Sequence, residues 1–188
     1  MPQPTLETPR LILRPFCKDD ASSVRHLAGQ WEIADTTLNI PHPYDDGMAE
    51  QWIDTHEPGY AAEKLATFAV VLRAGSQLAG AVGLMVNKGL AKAELGYWIG
   101  KPFWNSGYAT EAARAVLAFA FDELGLNRVH ACHFARNPSS GRVMEKVGMQ
   151  SEGVARQDTM KWGKFEDLVS YGMLREDWLQ IKRSSTIP

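Results

Sequence analysis

Glu94-Leu95-Gly96-Tyr97-Trp98-Ile99-Gly100-Lys101-Pro102-Phe103-Trp104-Asn105-Ser106-Gly107-Tyr108-Ala109-Thr110-Glu111-Ala112 is the stretch on which the reading of this chain turns. Through Ile99 it reads as the end of a strand, and with Gly100, Pro102 and Gly107 it becomes a loop. From Thr110 onward Ala113, Val116, Leu117, Ala120 and Leu124 fall on one helical stripe, which Gly125 ends. The first N–H groups of such a helix are unpaired and carry about half a positive charge, so they attract phosphate. Gly107 lets a phosphate approach the backbone with no side chain in the way. An ordinary tight loop has the same composition, and physics alone leaves both readings open.

Working outward, residues 66–73, 77–86 and 92–99 read as three strands in series, joined by turns at Ala74-Gly75-Ser76 and Asn87-Lys88-Gly89. Such a series is an antiparallel meander. Upstream, residues 10–16 alternate as a strand, and Lys18-Asp19-Asp20 opens a helix that runs through Leu27. Met48, Trp52, Ile53 and His56 recur at helical spacing within 45–57, with Pro58-Gly59 as a stop signal. The irregular segment 36–44, TTLNIPHPY, is a candidate acceptor-facing loop. Downstream, residues 128–134 are a strand, 138–147 a short helix stopped by Gly148, and 149–160 and 165–174 strand-like. The strand, helix and strand about 110–134 imply a local parallel crossover. The expected class is α/β, with a mixed and mainly antiparallel sheet.

The bulk numbers exclude more than they assign. The chain has 188 residues, about 45% of them apolar, which suits one domain spanning 1–188. No run approaches the roughly 20 apolar residues of a membrane span, and the first ten residues lack the pattern of a secretory leader. A cytoplasmic protein without a membrane partner is expected. Net charge is −2 with no basic run, so no direct nucleic-acid partner is indicated. Cys17 and Cys132 are too few for a disulfide framework or a metal site, and Cys132 reads as a small buried thiol. A homodimer is compatible with the sequence.

The central stretch resembles the acyl-CoA-binding motif of the GNAT superfamily of N-acetyltransferases. That motif is Gln or Arg, two residues, Gly, one residue, then Gly or Ala. Gly107 and Ala109 take the small positions, whereas Trp104 stands where Gln or Arg is usual. Tyr108-Ala109-Thr110-Glu111-Ala112 and the opening Leu6-Glu7-Thr8-Pro9-Arg10-Leu11-Ile12-Leu13-Arg14-Pro15 are similar to the RimJ/RimL branch, which acetylates ribosomal-protein N-termini. So is the block from Asn137 to Met149. The resemblance implies a GNAT-like fold with splayed central strands flanked by helices, acetyl-CoA as the acyl donor, and an amine acceptor.

It also implies roles. The diphosphate is expected on the backbone of Trp104, Asn105, Ser106, Gly107, Tyr108, Ala109 and Thr110. The pantetheine arm is expected along Tyr97, Trp98 and Ile99, where its two amides find backbone partners. Asn137 resembles a cofactor contact beyond the splay; the plainer reading is a turn former before Pro138. Glu94 resembles a frequent family base position, or is a carboxylate that only orders the sheet. The Tyr by which many relatives reprotonate the thiolate is replaced by Met144, which carries no proton to give. Ser140 fits the Asn-x-x-Ser form of the ribosomal branch and is the candidate donor, with helix capping beside Ser139 as its other role.

An α-amine, with a pKa near ~8 against ~10.4 for lysine, asks little of a base. The resemblance makes a protein N-terminal α-amine, such as that of a ribosomal protein, the leading acceptor. Small amines (amino acid, polyamine or aminoglycoside) and a non-catalytic acyl-CoA-binding module are the rivals. A deep apolar pocket under residues 31–44 points to a small molecule, an open groove to a peptide. The remaining signals carry less. His130 and His133 face opposite sides of a strand and cannot share a metal. Trp31, Trp52, Trp98, Trp104, Trp162 and Trp178 are expected mostly in core or interface, with Trp162-Gly163 in a hairpin turn.

Overall fold

Alternating apolar residues in the first half of the chain build a meander. The computed structural model describes residues 2–185, so the outermost residues of the expected domain lie outside it. β1 (Leu6–Glu7), β2 (Leu11–Arg14), β3 (Leu65–Leu72), β4 (Leu78–Asn87) and β5 (Lys92–Ile99) each pair antiparallel with the next. The chain then crosses over through α5 (Tyr108–Ala118) and adds β6 (Arg128–Phe134) parallel to β5. α6 (Pro138–Lys146) precedes the hairpin of β7 (Gln150–Lys161) and β8 (Lys164–Leu174). The eight strands form one mixed sheet, mostly antiparallel, in the order β1-β2-β3-β4-β5-β6-β8-β7.

Helices cover both faces. Leu11, Phe68, Val82 and Leu95 pack against Ala112, Ala113, Val116 and Leu117 of α5, all essentially buried. The two alanines let the helix lie close to the sheet, and each larger apolar side chain contributes about 1.5–3 kcal/mol by leaving water. The opposite face, with Ala69, Val71 and Leu78, is covered by α1 (Ala21–Ala28) and α3 (Met48–Asp54). Between those two helices lie α2 (Trp31–Thr36) and an irregular segment.

Strands β5 and β6 pair only over Lys92–Arg128, Ala93–Val129 and Glu94–His130. Beyond Glu94 they diverge, so the sheet is forked in its interior. The expected splay is present, and Glu94 stands at its root.

Several elements depart from the expectation. The predicted 45–57 helix is broken at Thr55, and α4 (His56–Ala61) contains both Pro58 and Gly59. Proline is tolerated there because the first-turn N–H groups have no intrahelical partner. The central helix begins two residues early, at Tyr108, and ends in a π turn over Phe119–Glu123. α2, the two-residue β1 and the terminal α7 (Arg175–Ser185) carried no clear sequence signal. Among the described residues no helix is long and apolar enough to cross a membrane.

Candidate active site

The fork opens into a cleft of about 1300 Å³ that runs from the α2–α3 segment to α6. Glu94, Tyr97, Trp98, Ile99, Trp104 to Ala109, Asn137 and Ser140 all line it, and Thr110 follows in the first turn of α5. Residues far apart in sequence are thus brought to one cavity.

At the N-terminus of α5, Asn105 (φ 59°) and Gly107 (φ 79°) both adopt left-handed backbone conformations. The N–H groups of residues 105–110 donate to no backbone carbonyl; the first helical bond is Glu111 N–H to Gly107 O at 3.1 Å. A run of free N–H groups at a helix start, ahead of the helix dipole, suits a diphosphate. Arg10 braces this loop. Its Nη1 donates to Ser106 O at 2.9 Å, its Nε to Glu111 Oε2 at 2.6 Å, and its guanidinium lies 4.9 Å over the Tyr108 ring. Burial alone raises the Glu111 pKa, but hydrogen bonds from Thr8 and Arg10, with Arg10's charge, outweigh it and hold the carboxyl below its usual range. The sequence blocks at 6–15 and 108–112 are therefore two sides of one contact.

Trp104 takes a different part from the Gln or Arg of the usual motif. Its indole Nε1 donates to the Ile99 carbonyl at 2.6 Å and ties the loop to the end of β5. Arg142 and Lys146 of α6 line the cleft and are its only cations among the described residues; no motif had singled them out.

Glu94 is the one carboxylate lining the cleft among the described residues. Its Oε2 is 3.8 Å from His130 Nε2 and its Oε1 is 3.9 Å from Cys132 Sγ. Cys132 is exposed to the cleft, which corrects the expectation of a buried thiol. Partial burial and the nearby charges of Glu94 and Asp158 raise its pKa, so it is a poor thiolate. His133 does lie on the other side, buried against Tyr171.

On the facing wall, Tyr97 Oη donates to Ser140 O at 2.9 Å and lies 2.9 Å from Ser140 Oγ. The phenol has one proton, and a carbonyl can only accept. With both bonds made, Ser140 must donate its hydroxyl proton to Tyr97. Burial pushes the Tyr97 pKa up to about 12, so the phenol stays neutral. Neither serine caps α6: Ser139 Oγ accepts from Arg142 Nη2 at 2.7 Å, and no side chain caps the helix. Asn137 is the N-cap residue by position and also lines the cleft. Met144 is fully buried.

The irregular segment 36–44 is clasped by the β7–β8 hairpin. Lys161, 6% exposed, donates from Nζ to Leu38 O at 3.0 Å and Ile40 O at 2.8 Å. Next to it Trp162 (φ 48°) and Gly163 (φ 77°) make the expected hairpin turn, and Trp162 stacks on Trp31 at 4.5 Å. Of the six tryptophans only Trp178 is buried; Trp31, Trp104 and Trp162 are exposed.

The sequence matches the acetyltransferase (GNAT) domain family over residues 10–150, which includes the loop, the fork and α6. This chain belongs to the GNAT acetyltransferase family. It is 44% identical over 87 residues to Bacillus subtilis YdaF, provisionally named a ribosomal N-acetyltransferase; that match spans 46% of this chain and 48% of YdaF. It is 30% identical over 173 residues to the uncharacterized N-acetyltransferase YoaA of the same organism, across 92% of this chain and 97% of YoaA. Among solved structures, a GNAT-family acetyltransferase from Bacillus anthracis superposes with a TM-score of 0.82 at 26% identity, over 92% of this chain and 99% of that one. The GNAT chain is an acetyl-CoA-dependent N-acetyltransferase, and acetyl-CoA is its acyl donor.

Proposed function

We propose that residues 1–188 form a single acetyltransferase domain that acetylates the N-terminal α-amine of a protein by direct attack. The observation that carries the choice of amine is the small number of bases in the cleft: among the described residues that line it, Glu94 is the one carboxylate and His133 the one imidazole. An α-amine, with a pKa near ~8, is partly neutral at cellular pH, whereas a lysine amine near ~10.4 needs a stronger proton acceptor. The partial likeness to YdaF supports the same reading.

In this scheme the diphosphate rests on the N–H groups of residues 105–110, with Arg142, Lys146 and Asn137 near it. The pantetheine arm lies along Tyr97 to Ile99. The amine nitrogen attacks the thioester carbonyl, the tetrahedral intermediate expels the thiolate, and the C–S bond breaks as the C–N bond forms. The excess proton on nitrogen passes to Glu94, directly or through water. The thiolate is reprotonated from the Ser140 side. No acyl-enzyme forms, in keeping with the raised pKa of Cys132.

A second reading has an observation of its own. Ile33, Leu38, Ile40 and Tyr44 give the cleft an apolar wall under the acceptor loop, which favours a small apolar amine. Thiol release from acetyl-CoA separates the two, with free-N-terminus peptides, N-terminally blocked lysine peptides and small amines as acceptors. Release with free N-termini supports the first reading, and release with small amines alone replaces it by the second. Glu94→Gln should shift the pH–rate profile toward higher pH; an unchanged profile removes Glu94 as the base.

A further inference from the structure

The part of the cleft beside Glu94 has a chemistry that restricts what the acceptor can carry next to its amine. Its floor is the sheet face that bears Glu94, Gly96 and Trp98. At Gly96 a Cβ would meet nothing within 4 Å, so the floor is hollow there. Its walls are Ile40, Tyr44 and Trp52, which pack with Trp98 onto the α1–α3 core, together with Leu38 and Met48. The acidic side chains of α2 are turned onto cations: Glu32 pairs with Lys101, and Asp35 with Arg136 at 2.6 Å. Arg142 and Lys146 add positive charge to the same cleft.

Among the described residues that line the cleft, an amine bound at Glu94 has one carboxylate partner; the charge of Asp158 reaches Cys132 from outside that lining. A further ammonium that reached the wall of Ile40, Tyr44 and Trp52 would sit against apolar groups, which is costly. An apolar substituent would instead leave water for the hollow above Gly96.

We propose that this cleft selects primary amines that carry a single positive charge next to an apolar group, and rejects polyamines and other polycations. This rests on the acetyl-transfer reading for the place of the reacting amine. An apolar first residue of a peptide and a free apolar amine share that chemistry.

Binding tests it without turnover. The full-length protein saturated with CoA is titrated calorimetrically with phenylalaninamide, a peptide beginning with Leu, 2-phenylethylamine, glycinamide and spermidine. The apolar ligands should bind at least tenfold tighter than glycinamide, and spermidine no tighter than glycinamide. Tighter binding by the peptide than by 2-phenylethylamine identifies the N-terminal source, and the reverse order the free amine. Ile40→Asp, which puts a carboxylate on the wall, should weaken the apolar ligands and strengthen spermidine at least tenfold. Spermidine binding as tightly as phenylalaninamide to the unaltered protein, no gain from the apolar group, or no binding by any amine overturns the proposal. None of these results bears on acetyl transfer itself, which thiol release decides separately.

Discussion

Replacing Lys161 with Met should release the segment 36–44. The ammonium is buried and donates to the carbonyls of Leu38 and Ile40, at 3.0 and 2.8 Å. Burial lowers its pKa, so part of what the two bonds contribute is offset by the cost of holding a charge away from water. Methionine fills the same space and leaves both carbonyls facing a thioether. Each unpaired carbonyl costs about 1–3 kcal/mol. Taking about 1 kcal/mol for each, the docked loop loses about 2 kcal/mol relative to the undocked one, and the undocked fraction rises about 30-fold. Limited chymotrypsin cleavage after Leu38 or Tyr44 reads that fraction when opening is faster than cutting. Cleavage should accelerate about 30-fold in Lys161→Met and be largely restored in Lys161→Arg, with CoA affinity unchanged. A cleavage rate within about twofold of the unaltered protein would refute the clasp and leave the Trp31–Trp162 stack as what holds the loop.

Gly107→Glu places a carboxylate at a left-handed residue of the phosphate loop; CoA affinity measured by calorimetry should fall at least tenfold, about 1.4 kcal/mol. Ser140→Ala should lower kcat, and Tyr97→Phe should lower it less, because it frees the Ser140 hydroxyl while leaving its proton in place; near-normal turnover in Ser140→Ala would remove Ser140 as the donor. His56 is buried against Trp52 and Phe16 with neither ring nitrogen hydrogen-bonded. Burial lowers its pKa to about 4. The unfolded chain thus takes up a proton near pH 6.5 that the fold refuses, and stability falls as pH drops through that window. Urea unfolding should show a loss of about 2 kcal/mol between pH 7.5 and 5 from this residue alone, absent in His56→Phe.

What the sequence made legible was local. β5 and β6 fall where alternation and turn residues put them, and the loop that opens α5 was legible from Gly107 and the stripe that follows it, although those residues alone did not separate a phosphate site from an ordinary tight loop. The failures have physical causes. Pro58-Gly59 was misread because proline stops a helix only past its first turn. Cys132 was misread because the fork after His130 opens a cleft over the sheet face that bears it, where an apolar run suggested a covered face. Trp104 looked like a defect in a motif, whereas its indole closes the loop by another bond. The Lys161 clasp left no local trace: its partners lie more than 120 residues away and are backbone carbonyls, which every residue has.

The fork between β5 and β6 has a mechanical consequence. Three residue pairs, with the Asn127 and Arg128 N–H groups donating to Ala91 O at their base, join a five-stranded block, β1 to β5, to a three-stranded block, β6 to β8. Such a sheet is built like an arch without its top stone. The blocks share one apolar core under α5, so the strands are free to part only on the forked side, beyond Glu94 and His130. A donor whose amides bridge the gap would lock the two blocks together. Hydrogen exchange on the facing edges of β5 and β6 would then slow in concert as acetyl-CoA is added, and the melting temperature would climb with donor concentration.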